Sequence, residues 1–145
     1  MSMTVTVACN KPAAPPSDSN AHDSRTAVAL PADGQQAVLL EMRHMLGALG
    51  GAASAAARED TTALFAAIAP AGSAAAADPA LEALLPTAWK EIAERTHSGF
   101  DSLAMAVRRT PRGAALRDTV LVRVAQLTAQ CNACHETFRV TVKPE

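Results

Sequence analysis

From Asp33 onward, apolar residues recur at helical spacing, and prolines and glycines divide the pattern into segments. In the first segment Val38, Met42, Met45, Leu49, Ala52 and Ala56 follow at steps of 4, 3, 4, 3 and 4. Residues three and four apart share a helix face, so these six form one seam for packing against neighbours. Asp33 stands where it can cap this helix. Asp60 or Thr61 can start a second, carrying Leu64, Phe65 and Ile68, with Pro70 and Gly72 disturbing its end. Asp78-Pro79, a cap followed by proline at the first helical position, opens a short piece with Leu81, Leu84 and Leu85. Pro86 begins a third long segment with Trp89, Ile92, Thr96, Phe100, Leu103 and Val107, which Pro111 and Gly113 break. The fourth carries Leu116, Val120, Val124, Leu127, Cys131 and Cys134 at steps of 4, 4, 3, 4 and 3. Strand signals are weak: no alternating run, and no Asn-Gly or Asp-Gly hairpin between β-branched stretches. Four seamed segments of ~20 residues, each about 30 Å long, predict an all-α fold, an antiparallel four-helix bundle over residues 33–145.

Residues 1–32 have a different character. Lys11 to Asn20 is rich in proline and serine and cannot bury a core, so it reads as part of a flexible tail. The opening Met1 to Cys9 is short for a secretory signal, which has about 7–15 apolar residues after a basic start. Ala8-Cys9-Asn10 is similar to the end of a bacterial lipoprotein signal, with Cys9 the residue to be lipidated and a polar tether after it. Thr6 stands where leucine is usual, and an incidental cysteine in a tail is the alternative. For an exported protein the visible start reads as truncated.

Composition changes the picture of the core. The chain has 145 residues, 49% hydrophobic but only 3% aromatic, with one tryptophan, three phenylalanines and no tyrosine. Aromatic side chains supply much of the contact area of ordinary cores. A core of alanine, leucine and valine packs thinly unless a flat apolar group fills it; a plain alanine-rich bundle is the other reading. The net charge of −1 and the lack of a basic patch exclude nucleic-acid binding. No run approaches the roughly 18 apolar residues of a membrane span. No hydrolytic triad, phosphate loop or carboxylate pair marks an enzyme.

The chemistry lies near the end, in Cys131-Asn132-Ala133-Cys134-His135. C-x-x-C-H is the attachment pattern of c-type haem: each thiol adds to a vinyl group and the adjacent histidine reaches the iron. A bare dithiol or half of a zinc site is the competing reading. Zinc wants about four ligands, and no second cysteine pair exists. The βαβ context of a redox dithiol is also missing. The seam places Cys131 and Cys134 toward the bundle interior and His135 at its edge, as the proximal iron ligand of one covalent haem.

The far side of such a haem falls to another helix. Met42 and Met45 lie on the first seam, and a thioether can ligate haem iron; methionines at this spacing also serve as core filler. Gly47, Gly50 and Gly51 each cost about 1 kcal/mol against alanine in a helix, so they call for a close approach by a haem plane or a neighbouring backbone. His44 falls off the seam and is the alternative distal ligand to Met42 and Met45. His97 reads as a helix-surface or haem-edge residue, and His22 as inert. Arg139 can pair with a haem propionate or lie over the proximal imidazole; a charge at a helix C-terminus, favoured by the macrodipole, is the plainer reading.

A C-x-x-C-H on the last helix, continued as Glu136-Thr137-Phe138-Arg139, resembles the ending of the cytochrome c′ group, the class II c-type cytochromes. Met42-Arg43-His44-Met45-Leu46-Gly47-Ala48-Leu49 is similar to that group's distal stretch and puts Met42 at the distal position. The resemblance covers residues 33–140. Val38 stands where the group often has an arginine for a propionate, and the loop between the second and third helices is shortened. By resemblance, a distal methionine implies six-coordinate iron and electron transfer with a redox partner. A non-ligating distal residue implies a module that binds NO or CO. The resemblance also implies a homodimer. Haem attachment takes place outside the cytoplasm, so the expected location is the periplasm, with a lipid anchor at Cys9 if that residue is modified.

Overall fold

The computed structural model describes residues 23–75 and 79–144, most of them helical. In chain order they form β1 (Thr26–Leu30), α1 (Ala32–Ala57), α2 (Thr61–Ile68), α3 (Pro79–Glu82), α4 (Thr87–Arg109), α5 (Ala114–Thr137) and β2 (Phe138–Val142). Two single 3-10 turns, Ala69–Ala71 and Ser73–Ala75, follow α2.

The three long seams fold as their spacing predicts. On α1, Val38, Leu49, Ala52 and Ala56 are buried, with Met42 and Met45 half-buried. Trp89, Thr96, Phe100, Leu103 and Val107 are buried on α4, and Leu116, Val120 and Leu127 on α5. Pro31, not Asp33, occupies the N-cap of α1; Asp33 sits in the first turn, where the helix dipole favours an anion, and its Oδ1 accepts from Gly34 N at 2.8 Å. Asp60 does cap α2, accepting from Ala63 N at 2.9 Å. Gly113 has φ +90°, a left-handed conformation that side chains resist, and this turns the chain into α5.

The second expected segment departs from its predicted length. α2 has only 8 residues, because Pro70 tightens the chain into the 3-10 turns. Its packing on α1 is close: a Cβ on Gly51 would lie 2.8 Å from the Ala67 Cβ. α1 packs on α2 and α5, and α4 on α5. The architecture is therefore mostly helical, with three long helices and two short ones among the described residues.

A small sheet overturns the expectation of no strands. β1 and β2 pair in parallel, from Thr26 opposite Phe138 to Leu30 opposite Val142. Parallel strands need a long crossover, and here the helices α1–α5 supply it. Val28 and Leu30 face inward, and Phe138 meets Trp89 with ring centroids 5.4 Å apart. The expected tail of residues 1–32 is thus too long: its last part is a strand of the folded unit. Cys9, the proposed lipid anchor, lies outside the described residues, as do Lys11–Asn20, His22 and the Asp78 cap. No described helix is long and apolar enough to cross a membrane.

The buried residues fall into two clusters. One joins Leu49, Leu64, Ile68, Phe100, Leu103 and Val120 across α1, α2, α4 and α5. The other gathers Val28, Leu30, Val38, Trp89 and Phe138 around the sheet. Met45 and Cys131 pack against the first, Met42 and Cys134 against the second. The candidate site lies where the apolar interior divides.

Candidate functional site

Helix α5 carries Cys131 and Cys134 one turn apart on its inner face, both free thiols and both half-buried. His135 follows on the exposed edge of the same turn. Residues at the end of a helix leave carbonyls without intrahelical partners. That of His135 accepts a hydrogen bond from Arg25 Nη1 at 3.2 Å. Arg25 is in turn held by Asp23, whose Oδ2 lies 2.7 Å from Arg25 Nη2. The Arg25 side chain, with its backbone N–H, holds the Asp23 carboxyl down to about 2. The residues just before β1 therefore close the helix carrying the C-x-x-C-H string.

A cavity of about 420 Å³ opens between α1, α4 and α5. This lies within the roughly 300–1,000 Å³ typical of small-molecule and cofactor sites. Cys131, Cys134 and His135 line it from α5, Met42 and Met45 from α1, and Trp89 and Ile92 from α4. Five of the predicted site residues thus share one space. Its lining is mainly apolar, and Leu39 and Leu46 stand at its exposed edge, Leu46 69% exposed.

Burial pushes the Cys131 and Cys134 thiols up, and the neighbouring Cys131 raises Cys134 further. Both stay protonated at neutral pH. Dithiols of redox catalysts are lowered instead, by helix N-termini or cationic neighbours. Among the described residues there is no group of three or more His, Cys, Asp or Glu that could hold a metal ion on its own, so the zinc half-site has no other half there.

Other predicted residues fall elsewhere. His44 is exposed and does not line the cavity. Arg139 lies on β2, with Nε 3.8 Å from Asp23 Oδ2, and it too is absent from the lining. It stands on β2, which begins at Phe138, and not at a helix C-terminus as expected. Gly51 answers the expectation of a close backbone approach, through Ala67; a Cβ on Gly47 or Gly50 would meet nothing within 4 Å.

His97 is a correction too. It is buried, not a surface residue, with Nδ1 2.8 Å from the Ala71 carbonyl and Nε2 3.1 Å from Glu41 Oε1. A carbonyl and a carboxylate are both acceptors, so the ring donates from both nitrogens as an imidazolium. The Glu41 hydrogen bond raises its pKa, against desolvation, and the Ala71 carbonyl adds to this. Glu41 and Arg43, which both adjoin Met42, also line the cavity, and neither was expected there as a site residue.

No protein-family model, curated protein or solved structure matches this chain.

Proposed function

We propose that this chain is a c-type haem protein of the cytochrome c′ kind, an electron carrier working outside the cytoplasm, its four principal helices packed as an antiparallel bundle. One observation carries the reading: Cys131, Cys134, His135, Met42 and Met45 line a single apolar cavity. Two thiols, an imidazole and one thioether are the groups such a haem requires, and the divided core leaves room for a flat apolar body.

A haem bound there would supply one-electron exchange at its iron. Cys131 and Cys134 would tether it through their thiols. The raised thiols keep their hydrogens in place at neutral pH. His135, on the same turn as Cys134, would hold the iron through its imidazole. Met42 would offer the iron a thioether, with Met45 one turn along as the alternative. A His/Met pair raises the potential and favours the reduced state. Trp89, Ile92 and Leu49 exclude water from the apolar side.

The test is expression with the c-type haem maturation machinery, then a haem stain on a denaturing gel. Stain on the intact chain, lost when Cys131 and Cys134 are both serine, is the expected result. No stain on the wild-type chain refutes the reading. A specific observation favours a second role: the cavity is open at Leu46, which gives a small gas a path inward. A CO-induced change in the spectrum of the reduced wild type would assign the protein to gas binding; an unchanged low-spin spectrum assigns it to electron transfer.

A further inference from the structure

A second cleft lies in the groove between α4 and α5, with none of its lining residues shared with the first cavity. Its volume is about 230 Å³ and its lining is polar: Arg95, Ser98 and Ser102 from α4, Arg123, Gln126 and Gln130 from α5. These side chains stand on the faces of the two helices away from their buried seams.

The charge here is uncompensated. No acidic residue lines the cleft, and neither Arg95 nor Arg123 forms a salt bridge among the described residues. Arg123 Nη1 donates to Gln126 Oε1 at 3.2 Å, which ties the guanidinium to the helix surface. Ser98 Oγ donates to the Arg95 carbonyl at 3.2 Å, whereas the Ser102 hydroxyl has no such partner. Gln130 Oε1 is shielded from solvent and lacks any hydrogen-bond donor. A buried acceptor left unpaired costs about 1–3 kcal/mol. The groove can be this deep because position 99 is glycine: a Cβ there would lie 2.7 Å from Leu127 Cδ2.

The geometry points to a phosphate site: a tetrahedral oxyanion held between Arg95 and Arg123, with Ser102 donating to it and its own hydroxyl hydrogen directed to Gln130. Guanidinium groups match the paired oxygens of phosphate, and charge-assisted hydrogen bonds to them are short and strong. The need for both acceptor oxygens and one donor selects inorganic phosphate, which keeps a hydrogen at neutral pH, over sulfate and over a phosphomonoester, which is mostly the dianion there. The site does not depend on what fills the first cavity.

Calorimetric titration of the full chain with inorganic phosphate, at constant ionic strength made up with chloride, tests this. Saturable binding is expected, weakened at least tenfold by Arg95→Gln or Arg123→Gln, with unchanged helical circular dichroism in both variants. Sulfate is expected to bind more weakly, and Gln130→Leu to remove that preference. Glycerol 2-phosphate in a parallel titration separates the sources: weaker binding than inorganic phosphate is expected, and tighter binding overturns the role given to Gln130. No saturation by either phosphate, or binding that both arginine variants retain, overturns the site. Equal affinity for sulfate overturns the role given to Gln130.

Discussion

Three glycines within five residues of α1 give opposite expectations for one chemical change, the addition of a methyl group. In a helix interior alanine is favoured over glycine by about 1 kcal/mol. Gly47 and Gly50 have ordinary helical backbone and nothing within 4 Å of an added Cβ, so each alanine variant keeps that gain. For a chain of 145 residues, unfolding entropy is about 0.3 kcal/mol/K, and the gain raises Tm by about 3 °C. Gly51→Ala meets the Ala67 Cβ at 2.8 Å, short of ordinary contact, and α2 must move. Overpacking of this kind costs about 1–3 kcal/mol, which cancels the propensity gain or exceeds it by up to ~2 kcal/mol. Urea denaturation of the three variants, without haem, reads the difference. Gly51→Ala more stable than wild type, or Gly50→Ala less stable, would refute the reasoning. Repeating the series on haem-loaded protein separates the two reasons for glycine. A loss confined to Gly47→Ala in the loaded form places a haem edge against α1.

Three further outcomes are expected. Met42→Ala converts the loaded protein from a low-spin to a high-spin visible spectrum, while Met45→Ala leaves it low-spin; the reverse pattern transfers the ligand to Met45. Leu30→Ala, at a side chain with no exposure, costs about 2–5 kcal/mol by denaturant titration, and a loss under 1 kcal/mol would separate β1 from the folded unit. His97 has a raised pKa, so its pairing with Glu41 stabilises the fold fully below about pH 6.5, the unfolded value, and that contribution falls as pH rises through the folded value. The stability gap between wild type and His97→Gln therefore narrows from pH 6 to pH 9, and a gap constant with pH refutes the imidazolium.

What could be read from the chain followed the length over which each signal repeats. The seams of α1, α4 and α5 run through about five turns each, and every position assigned to them is buried or half-buried. Cys131 and Cys134 were placed by that same periodicity, so the cavity they share with Met42 and Met45 was legible. The sheet was not. Thr26 to Leu30 and Phe138 to Val142 do alternate, but each run has 5 residues, and each becomes a strand only by meeting the other. Arg139 was misplaced for the same reason, since the helix was expected to reach it and ends at Thr137. His97 was misjudged because its two partners, Glu41 and the Ala71 carbonyl, come from other elements. Neither contact follows from the periodicity of α4.

The parallel pairing of β1 with β2 sets an order of events for the chain as it folds. Arg25 and His135, which meet at this sheet, are separated by 110 residues. Closing so large a loop costs conformational entropy before any contact rewards it, so sheets of this kind form slowly. On the ribosome β1 emerges before the helices and pairs only after β2 has followed them. The helices can pack in the meantime, because α1–α2 and α4–α5 are neighbours along the chain. Trp89 and Phe138 come together only when the strands join, so the sheet end of the Cys134 wall is the last part of the interior to close.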